Sequence, residues 1–315
     1  MAGRRRADRT GGASDSSEPT GQAAAEPNGR DATSKRGLPP GLFIVATPIG
    51  NASDITLRAL EILGQVDLIA CEDTRVSAKL LAIHGITTKR LAYHDHNADR
   101  MRPQLLARLA AGERIALISD AGTPLISDPG YKLVRDAVAA GLRVHTAPGA
   151  SAALAALVLS GLPSNRFLFA GFLDAKSLAR RRELTELSRL EATLIFYESA
   201  PRLAASLNDM AEILGDRPAA VARELTKLFE EVARDGLVAL ARRYAEAGPP
   251  KGEIVIVVGP PLDAPPAAEE DIDALLKEAL GRASVRDAAA EIAARLGLPK
   301  REVYARAVAL TRETP

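Results

Sequence analysis

Ser119-Asp-Ala-Gly-Thr-Pro-Leu-Ile-Ser-Asp-Pro-Gly130 follows the apolar run Ile115 to Ile118 and precedes an amphipathic helical pattern. Two prolines preset φ and two glycines open backbone angles closed to other residues, so Asp120 and Asp128 sit on a stiff frame. A second segment has the same design: the run Leu42 to Ala46 leads into Thr47-Pro-Ile-Gly-Asn-Ala-Ser-Asp54, and a helical pattern begins at Ile55. At a third junction, Pro148-Gly-Ala-Ser-Ala-Ala153 supplies a wall of small residues. Each loop read singly is a plain turn. Their coincidence at strand ends is the arrangement by which open α/β sheets bind a ligand in one cleft.

Working outward, short apolar runs alternate with helical patterns, the signature of βαβ units. Strands are expected at 42–46, 66–71, 90–93, 114–119 and 142–146, and helices near 55–64, 75–84, 98–111, 130–140 and 151–160. After Leu162-Pro-Ser164 the pattern resumes, with strands near 167–171, 193–197, 218–223 and 253–258. The expected fold class is α/β, with an N-terminal α/β domain over 39–162 and a second over 163–260. The run PPLDAPPAAEEDID holds four prolines and five acids in fourteen residues, too few core formers for a packed element. Residues 261–280 therefore read as an acidic, proline-rich linker and lead-in.

A small helical module is expected over 281–315. Ser284 with Asp287 resembles a helix start. Val285, Ala289, Ile292 and Leu296 fall on one face, Gly297 ends the helix, and Leu298-Pro299 opens another carrying Val303, Ala307 and Leu310. This stretch has seven Lys or Arg against four acids, and Lys300-Arg301 stands where a helix-turn-helix places its reading head. Nucleic-acid contact and a plain capping hairpin fit it equally.

Composition narrows the function classes. Aromatics make up 3% of the 315 residues with no Trp, which argues against a stacking surface for RNA bases. The single Cys71 excludes an intrachain disulfide framework, makes a cysteine zinc site unattractive and points to a reducing, cytoplasmic setting. With 41 basic and 40 acidic residues, any nucleic-acid contact must come from local patches. Residues 1–38 are rich in Gly, Ala, Ser, Arg and Asp and read as a disordered tail, Arg4-Arg5-Arg6 included. No run approaches the roughly 18 apolar residues of a membrane span, so no membrane partner is expected. Neither GxGxxG after a strand nor GxxxxGK[ST] occurs. A phosphate-free ligand with an adenosine-like head, held by backbone groups, carboxylates and small residues, fits these loops better.

Seven segments occur in order: TPIGN at 47–51, CEDTR at 71–75, HDHN at 94–97, SDAGTPLISDPG at 119–130, IFYES at 195–199, ARELTK at 222–227 and KGE at 251–253. Together they resemble the ribosomal small subunit methyltransferase I family, the 16S rRNA cytidine 2′-O-methyltransferases of the tetrapyrrole-methylase (class III) superfamily. The resemblance spans 41–260, and the C-terminal helices are similar to the extra domain of many members. Ala150 departs from the usual PGPSA, leaving the small-residue wall intact, and the long N-terminal tail lies outside the pattern.

The resemblance implies S-adenosylmethionine in a cleft between two α/β domains, a homodimer, and 16S rRNA in the small ribosomal subunit as partner. It implies a cofactor site of Thr47 and Pro48 on the first loop, Asp120, Ala121, Gly122 and Thr123 on the second, and Ser151 and Ala152 on the third. Tyr197, Leu225 and Gly252 would close it from the second domain. A ribose 2′-hydroxyl becomes a nucleophile only as its proton leaves, so a base should assist. Asp73, His94, His96, Glu198 and Lys227 lie in matched motifs, and Asp73, His96 and Lys227 are taken as the catalytic candidates. The alternatives are that Asp73 or Thr74 caps the next helix and that Glu198 and Lys227 form a structural ion pair. His94-Asp95-His96 is too weak a pattern for a metal, and none is expected. Arg166, Lys176, Arg180, Arg181, Arg182 and Arg202 could pair with RNA phosphates. Two rival readings remain: a tetrapyrrole methyltransferase with the same fold and cofactor, and a non-catalytic RNA-binding protein on a methyltransferase scaffold.

Overall fold

The computed structural model describes residues 37–262, 269–296 and 298–313. The N-terminal run Arg4-Arg5-Arg6 and Gly297 lie outside the described residues. Strands β1 (Gly41–Val45), β2 (Leu68–Cys71), β3 (Arg90–Ala92), β4 (Arg114–Ile118) and β5 (Val144–Ala147) form a parallel sheet in the order β3-β2-β4-β1-β5. Helices α1 (Leu57–Gln65), α2 (Thr74–Ile83), α3 (Ala98–Ala110) and α4 (Tyr131–Ala139) make the crossovers. Parallel strands covered on both faces carry continuous apolar runs, and β2, LIAC, is buried at all four positions. Leu105 and Leu109 of α3 and Leu133 and Ala137 of α4 bury against Leu42, Ile115 and Leu117.

The connection leaving β1 crosses the sheet toward β2, whereas the one leaving neighbouring β4 crosses the other way to β5. A crevice opens where such connections diverge, between the loops following these two strands. The helix starts after β1 and β2 are pinned locally. The Thr56 hydroxyl caps α1 by accepting the Ala59 N–H at 3.1 Å, and the Asp73 carboxylate caps α2 by accepting the Arg75 N–H at 2.8 Å.

A second, mixed sheet contains β6 (Phe167–Phe172), β7 (Thr193–Ser199), β8 (Pro218–Arg223), β9 (Glu231–Gly236) and β10 (Glu253–Val258), ordered β6-β7-β10-β8-β9. Only the β6–β7 pair is parallel. Strand β9, EVARDG, escapes a reading based on apolar runs because it is an edge strand with Ala233 alone fully buried. Its central neighbours alternate strictly. Leu194, Phe196, Val221, Ile254 and Ile256 face α7 (Leu203–Leu214) and α8 (Leu237–Ala247). Ile195, Ala220, Ala222, Val255 and Val257 face α5 (Ala152–Ser160) through Ala153, Ala156 and Leu157. The last helix of the first α/β half thus fills the core of the second. The small residues on both sides bring helix and sheet close together. Helix α6 (Ser177–Leu187) completes the outer layer against α7.

The C-terminal module differs from the sequence expectation in one respect. Glu269–Leu280, read as linker and lead-in, is a helix, α9, and its Leu276 and Ala279 share a core with Ile292 and Ala293 of α10 (Val285–Leu296) and Val303 and Ala307 of α11 (Lys300–Glu313). Acids at its start suit a helix N-terminus, which composition counted over the whole run concealed. The expected start of α10 is present: Ser284 Oγ donates to Asp287 Oδ2 at 2.7 Å and accepts the Asp287 N–H at 3.2 Å.

Ala156 is fully buried between α5 and the second sheet. Ala156→Leu should overpack this seam and cost about 1–3 kcal/mol in urea unfolding. The reverse change at exposed Leu154, Leu154→Ala, should cost the fold of the single protomer under about 0.5 kcal/mol.

Candidate functional site

A cavity of about 540 Å³ lies at the crevice, walled by Ile49, the loop from Asp120 to Asp128, Ser151 and Ala152, and closed from the second sheet by Tyr197, Leu225, Gly252 and their neighbours. The first wall is rigid because the two strand-end loops are bonded to each other. Thr47 N–H donates to Gly122 O at 2.8 Å, Gly122 N–H returns to Thr47 O at 3.0 Å, and Thr47 Oγ1 donates to Ser119 O at 3.1 Å. Thr123 Oγ1 donates to Ala150 O at 3.0 Å, tying in the third loop. Gly122 has φ +76°, and a Cβ there would stand 3.3 Å from Ile49 Cγ2.

Four non-glycine residues among the described ones adopt left-handed backbone: Leu125, Ser127, Glu224 and Thr226. All lie in the loops 119–130 and 222–230 that flank the cavity. Each conformation costs on the order of 1 kcal/mol and persists only where neighbours overdetermine it, a pattern concentrated at ligand sites. Here Thr226 N–H donates to Glu230 Oε2 at 2.6 Å, and Glu224 Oε1 accepts from Lys227 Nζ at 2.7 Å and from Glu253 N–H at 3.0 Å. Gly252, φ +105°, leaves the room that the Glu224 side chain fills, since a Cβ would lie 2.4 Å from it.

Nine of the eleven positions expected to hold the cofactor line this cavity: Asp120, Ala121, Gly122, Thr123, Ser151, Ala152, Tyr197, Leu225 and Gly252. Thr47 is buried behind the wall as its brace, and Pro48 faces a second cavity of about 300 Å³. Ser151 precedes α5 without capping it, so its hydroxyl stays available to the cavity. The Tyr197 hydroxyl takes the Ala153 N–H of the helix's first turn, and burial raises its pKa.

The catalytic candidates are not brought together. Asp73 caps α2 and pairs with Arg75 at 2.6 Å, whose hydrogen bonds hold its carboxyl down to about 2. Its backbone N–H supports Asp120 Oδ1 at 3.1 Å. His96 is exposed and meets only the His94 ring, 6.0 Å between centroids. Neither Asp73 nor His96 lines either cavity. Lys227 lines the second cavity, with Nζ 2.7 Å from Glu224 and 2.8 Å from Glu253. Burial opposes its charge, but these two carboxylates outweigh burial and raise its pKa, so it is an ammonium rather than a base. The expected Glu198–Lys227 pair does not form. Glu198 instead accepts from Ser199 N–H and Ser206 Oγ and lies 3.2 Å from Arg202 Nε.

Several arginines read as RNA contacts are structural. Arg180 is buried with Nη2 2.6 Å from Asp209, Arg181 bridges Asp209 and Glu212, and Arg202 donates to Leu173 O. The carboxylate partners of Arg180 and Arg181 lie on α7, distant in sequence, which a linear charge run cannot reveal. Arg166, Lys176 and Arg182 remain exposed.

The lining of the main cavity holds Asp120, Asp128, Glu198 and Glu253 and no Lys, Arg or His. Asp128 had only a framing role in the sequence. Burial foremost, then the charges of Glu72 and Asp120, push its carboxyl up to about 6 despite a bond with Ser119. Burial also raises Asp120. Four carboxylates with no basic side chain among the described lining residues favour a cationic ligand and disfavour a phosphate.

Residues 41–241 match the family model described as Tetrapyrrole (Corrin/Porphyrin) Methylases, and 266–311 match that of the RsmI C-terminal HTH domain. Proteins named Ribosomal RNA small subunit methyltransferase I are similar over most of the chain. That of Mesorhizobium japonicum is 53% identical, covering 87% of this chain and 94% of its own length. That of Synechocystis sp. is 45% identical, covering 84% and 95%. The chain belongs to the ribosomal RNA small subunit methyltransferase I family of the tetrapyrrole methylases. Solved structures share the fold at low identity. Cobalt precorrin-4 methyltransferase has TM-score 0.53 at 18% identity over 69% of this chain and 94% of its own. Uroporphyrin-III C-methyl transferase from Thermus thermophilus, complexed with S-adenyl homocysteine, has 0.50 at 18% over 69% and 96%.

The raised Asp128 pKa has a stability consequence with a definite sign. The folded protein holds this proton more tightly than the unfolded chain, so stability falls as pH rises from about 4 to about 6 and stays reduced above. Asp128→Asn should therefore stabilise the protein by about 1 kcal/mol at pH 7.5, the shift being discounted for partial exposure, and by nothing at pH 4. Urea unfolding at the two pH values measures this.

Proposed function

We propose that this chain transfers a methyl group from S-adenosylmethionine to the ribose 2′-oxygen of a cytidine in the decoding region of 16S rRNA, on the small ribosomal subunit. The observation that carries the donor assignment is the cavity lined by four carboxylates and no basic side chain. It suits a phosphate-free ligand bearing a sulfonium and an ammonium. Family membership and the module matching the RsmI C-terminal HTH domain support the rRNA acceptor. When bound, S-adenosylmethionine supplies a methyl already activated on positive sulfur, so this chain's task is alignment.

Gly122, Thr123, Ser151 and Ala152 present backbone and small side chains to the donor, while Tyr197, Leu225 and Gly252 close the far wall. Asp120 is the carboxylate we assign to receive the hydroxyl proton: its Oδ1 is held by Asp73 N–H and burial has raised its basicity. The 2′-oxygen bonds the methyl carbon as the carbon–sulfur bond breaks and its electron pair stays on sulfur. Exposed Arg286, Arg295, Lys300 and Arg301 on the C-terminal module are the basic groups for RNA phosphates. A cytoplasmic homodimer belongs to the same reading, supported by α5, whose outward Leu154 and Val158 are 50% and 75% exposed.

Labelled donor with purified small-subunit particles should place the label on a ribose; label on a base, or on a tetrapyrrole alone, would overturn the reading. Asp120→Asn should slow single turnover at least tenfold at saturating substrates while donor affinity changes less. Truncation after Pro260 should leave donor affinity within about twofold, weaken particle binding and reduce its salt dependence. Equal salt slopes would reduce the module to a cap.

A further inference from the structure

The second cavity, about 300 Å³, shares Ile49, Asp120, Ala121 and Glu253 with the main one, so the two adjoin across a common rim. Their electrostatics differ. Among the described residues Lys227 is the one cation lining either cavity, and it faces the second. An ammonium has three donor hydrogens, and Lys227 spends two on Glu224 and Glu253. Its third is open to a ligand. The remaining wall comes from Pro48, Gly50, Ala52, Leu80 and Ile83, a surface without a polar side chain.

We infer that the second cavity is the acceptor subsite, taking one unstacked nucleotide of single-stranded RNA. The base lies against Leu80 and Ile83, the free donor of Lys227 meets a phosphate oxygen or base acceptor, and the ribose sits at the Asp120 rim facing the donor. Charge distinguishes the two lobes by degree: the main cavity is lined by Asp120, Asp128, Glu198 and Glu253 without a cation, whereas the second keeps only Asp120 and Glu253 and adds the Lys227 ammonium, so a phosphate-bearing nucleotide is repelled less there. A preformed apolar slot offsets the stacking lost when a nucleotide leaves its neighbours. This assignment rests on the RNA-methylating reading above but is tested without it.

Ile83 is 66% exposed and borders the second cavity only, so its replacement should spare fold and donor site. Ile83→Trp fills the slot, and Ile83→Glu adds a charge against phosphate. Donor affinity is measured by calorimetry. Binding of a short fluorescein-labelled oligocytidylate to protein saturated with S-adenosylhomocysteine is measured by anisotropy, and methylation of small-subunit particles as kcat/KM. Both variants should keep donor affinity within twofold and lose at least tenfold in oligonucleotide affinity and in kcat/KM. No oligonucleotide binding to the parent protein, equal binding by parent and variants, or loss of donor affinity in Ile83→Trp overturns the subsite. A parent that binds the oligonucleotide through this slot but methylates no ribosomal particle overturns the rRNA reading and leaves the subsite standing.

Discussion

The seam between α5 and the second sheet is the constraint on which the site depends. Ala153, Ala156 and Leu157 follow directly from the third strand-end loop, yet their partners are Ile195, Ala220, Val255 and Val257. Because the helix is covalently continuous with the first sheet and packed into the core of the second, it fixes the distance between the two halves. Ser151 and Ala152, at its start, and Tyr197, Ala222 and Val255, on the sheet below, then become walls of one cavity. The interface is built from alanines, so there is little side-chain length to absorb a shift.

Rigidity continues into the loops. The paired amides of Thr47 and Gly122 lock the ends of β1 and β4, while Asn51 N–H reaches across to Thr226 Oγ1 at 3.1 Å. Gly50 permits that approach, since a Cβ there would lie 2.5 Å from Lys227 Cγ. Left-handed Glu224 and Thr226 are thereby held in place, and Lys227 is oriented by two carboxylates rather than left to swing. Methyl transfer asks for close positioning of the reacting groups, and a frame that resists relaxation supplies it.

The parallel sheet and the glycine- and proline-rich loops were legible in the sequence because apolar runs and turn residues report local backbone directly. So was much of the main cavity's lining, where nine of the eleven positions expected for the cofactor lie, through the motif resemblance. Strand β9 and helix α9 were not, since one is a polar edge and the other begins in a proline- and acid-rich run. The roles of charged residues were least legible. Arg180 looked like an RNA contact until its partner Asp209, 29 positions away, was seen to bury it. Asp73 and His96 lie in CEDTR and HDHN, motifs that match in order with the others yet contribute no residue to either cavity, because a motif does not say which side of a strand end faces the ligand.

Helix α5 is apolar around its whole circumference, and this bears on how the chain is made. Residues through Ser160 leave the ribosome well before Glu253–Val258, the central strand against which α5 packs. At about 5–20 residues per second, that interval lasts on the order of 5–20 s. For that time the first sheet can be complete while its last helix presents Ala153, Ala156 and Leu157 with no cover. The nascent half-protein is thus a ready client for a holding chaperone, and the second domain acts as the intramolecular partner that releases it.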